Sequence, residues 1–195
     1  MTTPRARDPR SFADLTRAVF GEVLSLDDVF ARIDYVEVTV ARPHDAVELT
    51  WVGSVGYERH KNNHDFAEHL RRSGVERLID VRELPISRRR GYAKTALSGA
   101  MNDVGIEYVH MKALGNPKPL RDMYKSGRIV EGRKAYAEFL LSERREALEA
   151  LVPFLQDKRS ALMCLEHDAS TCHRTVIIEA LRSELGLALD VAQVS

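Results

Sequence analysis

From residue 49 onward, short apolar runs alternate with segments whose apolar residues recur at helical spacing. Residues 50–55 read as a strand that ends in Gly56-Tyr57-Glu58-Arg59-His60. A helix is expected over residues 63–72, with Phe66, Ala67 and Leu70 on one face and Gly74 as its stop. Residues 75–81 form a second strand, 93–104 a second helix and 106–110 a third strand. Residues 111–132 break the pattern with glycines, prolines and charges, and are expected to cross the surface as a long loop. Helical spacing resumes over residues 133–156, where Pro153 should bend or divide the helix. The apolar run 161–165 is a fourth strand, a helix starting near Cys172 stops at Gly186, and residues 187–194 suit a last strand. Strand–helix alternation with short connections predicts an α/β fold. The expected form is a three-layer, Rossmann-like or flavodoxin-like, mostly parallel sheet with helices on both faces.

The first fifty residues read differently. Residues 1–10, MTTPRARDPR, are polar and proline-bearing and are expected to be a disordered tail. Phe12, Leu15, Val19, Phe20 and Val23 recur at helical spacing, with Ser11 or Asp14 as cap, and residues 34–40 alternate as DYVEVTV, a strand signature. Residues 11–48 are therefore expected to add a helix and a strand as an accessory layer on the core, with a partner-binding appendage as the alternative. Residues 49–195 make the single α/β domain.

Composition narrows the function classes. With 195 residues, 44% of them hydrophobic and 30% charged, the chain can bury one sizeable core. Basic and acidic side chains number 29 each, so there is no global pull toward nucleic acid or an anionic membrane, and any polyanion site must be a local patch. Two cysteines make no disulfide framework, and free thiols suit a reducing cytoplasm. No apolar run approaches the roughly 20 residues of a membrane-spanning helix. A cytoplasmic protein without membrane association is expected.

Ligands of open parallel sheets bind outside the carboxyl ends of the strands. Those ends should gather Tyr57, Arg59 and His60, then Asp80 and Arg82, then His110, then Glu166. Arg82, Arg88, Arg89, Arg90 and Lys94, with Tyr92 among them, can grip phosphates and offer a stacking face; a solvated basic turn is the alternative for Arg89 and Arg90, and an ion pair with Asp80 for Arg82. Asp80 and Glu166, in a crevice shielded from water, can serve as general acid or base, or simply anchor Arg82 and Arg174. Cys172 and His173 start a helix, where the dipole and Arg174 favour a thiolate; the nucleophile competes there with a cap-and-packing role. Arg174 with the helix start suits a phosphate or carboxylate. Cys164 and Cys172 are eight positions apart rather than paired as C-x₂-C, so neither a metal nor another cofactor is expected, and Cys164 reads as structural.

Several of these blocks together resemble a known family. Gly56-Tyr57-Glu58-Arg59-His60, Asp80-Val81-Arg82 with Pro85 and Ser87-Arg88, Tyr108-Val109-His110 with Leu114-Gly115, and Met163-Cys164-Leu165-Glu166 with Cys172-His173-Arg174 are similar to the domain-of-unknown-function family 488, over residues 51–194. The chain departs from that pattern at Tyr57-Glu58, where many relatives carry a glycine-histidine-serine type of sequence. The resemblance implies a small α/β protein of the bacterial cytosol and a link to the processing of DNA bases, glycosylase activity included. Removing a base calls for an acidic residue near the sugar, arginines on phosphates and an aromatic ring to replace lost stacking. Those are Glu166 or Asp80, then Arg82, Arg88 and Arg174, then Tyr92 or Tyr57. Three functions are thus expected to compete: a hydrolase of nucleic acid or a nucleotide, a non-catalytic module binding a phosphorylated small molecule, and a thiol enzyme acting through Cys172.

Overall fold

The computed structural model describes residues 49–194. In chain order the elements are β1 (Thr50–Gly56), α1 (Asn63–Arg72), β2 (Arg77–Asp80), α2 (Lys94–Asp103), β3 (Glu107–His110), α3 (Lys118–Lys125), α4 (Ile129–Glu143), α5 (Arg145–Asp157), β4 (Ser160–Cys164), α6 (His173–Ser183) and β5 (Leu189–Gln193). The strands form one five-stranded sheet in the order β3-β2-β4-β1-β5, with every pairing parallel. Strands β2 and β4 are buried along their whole length, as strands covered on both faces must be.

Successive side chains alternate between two cores. Val52, Ile79 and Leu162 pack with Tyr136 and Leu140 of α4, Leu148 and Leu151 of α5 and Ile177 and Leu181 of α6. Val55, Leu78, Ala161 and Met163 pack with Phe66 and Leu70 of α1 and Leu97 and Met101 of α2. The result is the three-layer α/β arrangement that the alternation predicts. Asn62 caps α1 by accepting the Asp65 backbone N–H at 2.8 Å, a bond worth about 1 kcal/mol.

Two local expectations need correction. Residues 111–132 are not a long loop, because α3 and the start of α4 lie within them. The prolines taken as breakers sit at the helix start, Pro117 as the cap and Pro119 in the first turn, where a missing N–H costs nothing. Gly127, at φ 79°, closes α3, and Gly132 lies inside α4 because a Cβ there would stand 2.8 Å from the Tyr124 ring. Nor does Pro153 divide the following helix. The break falls at Arg144, whose N–H donates to Leu140 and whose carbonyl accepts from Leu148, both at 3.1 Å, so that it ends one helix and begins the next. Pro153 stays inside α5, where the carbonyl it leaves free belongs to the exposed Glu149.

The tail and the helix and strand expected within residues 1–48 lie outside the described residues. Among the described residues no helix is long and apolar enough to cross a membrane.

The chain returns from edge strand β3 to insert β4 between β2 and β1. That insertion sets the exit of β4 between the exits of two strands that come far earlier in the sequence, and opens a crevice there.

Candidate active site

The loop leaving β4 is held against the exit of β1. A Cβ at Gly56 would lie 1.8 Å from the Glu166 carbonyl oxygen, so only glycine admits the loop this closely. The Glu58 N–H donates to the Leu165 carbonyl at 3.0 Å, and the His167 N–H donates to the Glu58 carboxylate at 3.1 Å. Asp168 then turns the chain by accepting the Ser170 N–H at 2.8 Å, and Cys172 becomes the N-cap residue of α6.

Four side chains meet at this point. The Cys172 sulfur lies 3.2 Å from Glu166 Oε2, 3.7 Å from His173 Nδ1 and 3.3 Å from the Nε–H of Arg174, which donates to it. His173 Nε2 is 2.9 Å from the Val81 carbonyl; a carbonyl only accepts, so Nε2 carries a proton and Nδ1 is turned to the sulfur. The Tyr136 ring packs edge-on to the imidazole at 5.2 Å, and its hydroxyl donates to the Leu114 carbonyl at 2.6 Å. Arg174 is wholly buried and donates to the Glu166 carbonyl at 2.6 Å, so it braces the loop from beneath.

Charge follows geometry. Burial works against a thiolate at Cys172, yet the hydrogen bond from Cys164 and the neighbouring His173 and Arg174 hold its pKa well below the usual value. Burial likewise opposes protonation of His173, and Cys172 outweighs it and raises the pKa. Burial, aided by the Cys172 charge, pushes the Glu166 carboxyl up.

Asp80 does not reach this centre. It is fully buried, with Oδ1 accepting from the backbone N–H and Nε of Arg82 at 3.1 and 2.8 Å, and Oδ2 accepting from Arg82 Nη2 and the Tyr108 hydroxyl, each at 2.6 Å. It anchors Arg82. Arg82 Nη1 donates onward to the Tyr92 carbonyl at 3.0 Å and the Tyr57 hydroxyl at 3.2 Å. Tyr57 stacks on Tyr92 at 4.4 Å, with the Arg82 guanidinium 5.2 Å from its ring centre. Tyr92 is fully buried and offers no face to a ligand. Arg88 and Lys94 are exposed and lie away from the cleft lining, Arg89 clamps the backbone carbonyls of Tyr57, Glu58 and His60, and His110 donates to the Arg82 carbonyl at 2.8 Å.

A cleft of about 450 Å³ opens over the Cys172 centre. From the expected site residues it collects Tyr57, Arg82, Glu166, Cys172 and His173. Sequence reasoning missed its other wall, made of Asn116, Arg121, Tyr124 and Lys125. All four lie in the segment read as a loop; the signal was the amphipathic run KPLRDMYK, hidden by Pro119 within it and Pro117 before it. That wall docks tightly: a Cβ at Gly115 would lie 2.2 Å from Glu83 Cα, and Arg121 donates to Glu83 at 3.0 Å and to the Asn116 carbonyl at 3.1 Å. Asn116 Oδ1 and the Tyr124 hydroxyl are buried without a hydrogen-bond partner among the described residues. Leu84 and Ile86 line the mouth and are exposed.

The family described as "Domain of unknown function DUF488" matches residues 62–181. No curated protein and no solved structure matches the chain.

Proposed function

Because the chain belongs to the DUF488 family, whose name assigns no chemistry, we infer its activity from the cleft: we propose a hydrolase that cleaves an N-glycosidic bond in a nucleotide or in a nucleotide flipped from nucleic acid. The observation that carries this reading is the pairing of Asn116 Oδ1 and the Tyr124 hydroxyl, two buried polar atoms without partners among the described residues, with the carboxyl group of Glu166 in one cleft. Buried polar atoms are nearly always satisfied, so two orphans on one wall mark where a ligand's donors and acceptors belong. Arg82, Arg121 and Lys125 supply positive charge to a phosphate, and Leu84, Ile86 and the Tyr124 ring supply apolar surface to a base. Arg82 keeps its charge: burial works against it, and the Asp80 pair raises its pKa well above the ordinary value.

In this mechanism Glu166 takes a proton from water as the water oxygen bonds to the anomeric carbon. The carbon–nitrogen bond breaks, and the base leaves with the electron pair and is protonated by solvent. Asp80 has no part in the reaction beyond fixing Arg82, since both its oxygens are engaged. Cys172 is 1% exposed and its sulfur already has three neighbours, which disfavours it as the attacking group.

The test is a screen of nucleotides and modified-base duplexes for base release. Glu166→Gln should abolish release and leave binding intact. If wild type binds these ligands with no turnover, the cleft is a non-catalytic binding module. Salt sensitivity separates the ligands, because a polyanion releases counterions and loses affinity steeply with salt, whereas a single nucleotide does so weakly.

A further inference from the structure

We propose that the floor of the cleft is a zinc site, with Cys164 Sγ, Cys172 Sγ and His173 Nδ1 as its three protein ligands. These three atoms lie within 4.8 Å of one another, and all three residues are buried. A tetrahedral zinc with thiolates at about 2.3 Å and imidazole at about 2.0–2.1 Å keeps its ligand atoms roughly 3.5–3.8 Å apart. The Cys172 Sγ to His173 Nδ1 separation of 3.7 Å already has that value.

The surroundings are those a metal ligand set requires. A ligating histidine needs its other nitrogen committed to a hydrogen bond, which fixes the tautomer and aims the free nitrogen at the metal. The Val81 carbonyl does this for His173 at 2.9 Å, and the edge-on Tyr136 ring stops the imidazole from turning. The Nε–H of Arg174 donates to Cys172 Sγ at 3.3 Å, a contact that suits a sulfur carrying negative charge. Two thiolates and an imidazole form a soft donor set that selects zinc over magnesium, calcium or manganese.

Three protein ligands leave a fourth position, the mark of a catalytic rather than a structural zinc. The two sulfurs and His173 line the cleft, so the fourth position opens toward its ligand. Glu166 Oε2, 3.2 Å from Cys172 Sγ, stands beside the three ligand atoms rather than among them, where it can hydrogen-bond a water held in that position. The sequence hides this site because one ligand ends a strand and the other two begin the next helix, with a seven-residue turn in place of the two-residue spacer of common zinc motifs.

The experiment is elemental analysis of the purified protein by plasma mass spectrometry, followed by cobalt substitution. Stoichiometric zinc is expected, retained in Glu166→Gln and lost in Cys164→Ser and His173→Ala. Should those two variants fail to fold, chelator-stripped wild type carries the test: added Co²⁺ should give thiolate-to-cobalt charge-transfer absorption and the visible bands of a tetrahedral site, and added Zn²⁺ should raise the melting temperature. Metal-free wild type that takes up neither ion, or a Cys164–Cys172 disulfide in freshly purified protein, overturns the proposal. Zinc content and the cobalt spectrum are read without substrate, so their outcome is independent of whether the cleft hydrolyses a nucleotide.

Discussion

Asp80 and Arg82 form a buried two-point ion pair at the end of β2, with Nη2 to Oδ2 at 2.6 Å and Nε to Oδ1 at 2.8 Å. The two residues are 0% and 6% exposed, and the Tyr108 hydroxyl takes a further carboxylate lone pair. Replacing Asp80 alone leaves a buried guanidinium without its counter-charge. Asp80→Ala should cost about 3–5 kcal/mol, read from urea unfolding, far more than loss of an exposed pair such as Arg145–Glu149. A loss below about 1 kcal/mol would mean that Arg82 finds other partners.

Gly56 and Gly99 make a matched pair of tests. At Gly56 an added Cβ meets the Glu166 carbonyl at 1.8 Å, so Gly56→Ala must push the loop after β4 away and should destabilise the protein by about 1–3 kcal/mol while disrupting ligand binding. At Gly99, within α2, a Cβ meets nothing within 4 Å, and Gly99→Ala should stabilise by about 0.5–1 kcal/mol. Denaturant midpoints of the two variants against wild type check both signs.

Among the described residues the Tyr124 hydroxyl is buried without a partner, which costs stability while no ligand fills the cleft. Tyr124→Phe should therefore leave the ligand-free protein as stable as wild type or slightly more so, and weaken nucleotide binding about 5- to 10-fold. Calorimetric titration together with thermal melts separates the effects. Equal losses of stability and affinity would instead mark the hydroxyl as a structural group.

His60 packs against Phe66 at 4.9 Å and His69 at 5.1 Å. Burial, then the charges of His69, His167 and Arg89, hold its pKa below the ordinary 6.5. The unfolded chain thus takes up this proton more readily than the folded one. The contribution to stability is complete above pH 6.5 and is lost as the pH falls through the lowered value. Replacing His60 with glutamine should flatten this acid limb of a stability–pH profile; an unchanged limb would assign it to other groups.

Local pattern by itself determined most of the fold and the centre of the site. Helix α1 spans the residues its apolar spacing marks, β2 lies within the strand expected over residues 75–81, and β4 overlaps the apolar run 161–165, because both signals depend only on neighbours within a few positions. Glu166, Cys172 and His173 were legible for the same reason, since a strand, a turn and a helix start bring them together without help from the rest of the chain. The amphipathic run of α3 stayed hidden behind prolines that begin a helix rather than break it. Tertiary structure alone decided what depends on the strand order. With β2 between β3 and β4, and β4 beside β1, Val81 meets His173, the Tyr108 hydroxyl reaches Asp80, and Tyr92 disappears beneath Tyr57. Docking of Gly115 on Glu83 carries Asn116 and Tyr124 to the far wall of the cleft. Such contacts join residues dozens of positions apart, and their energy comes from burial and shape shared between elements, which no short stretch of sequence contains.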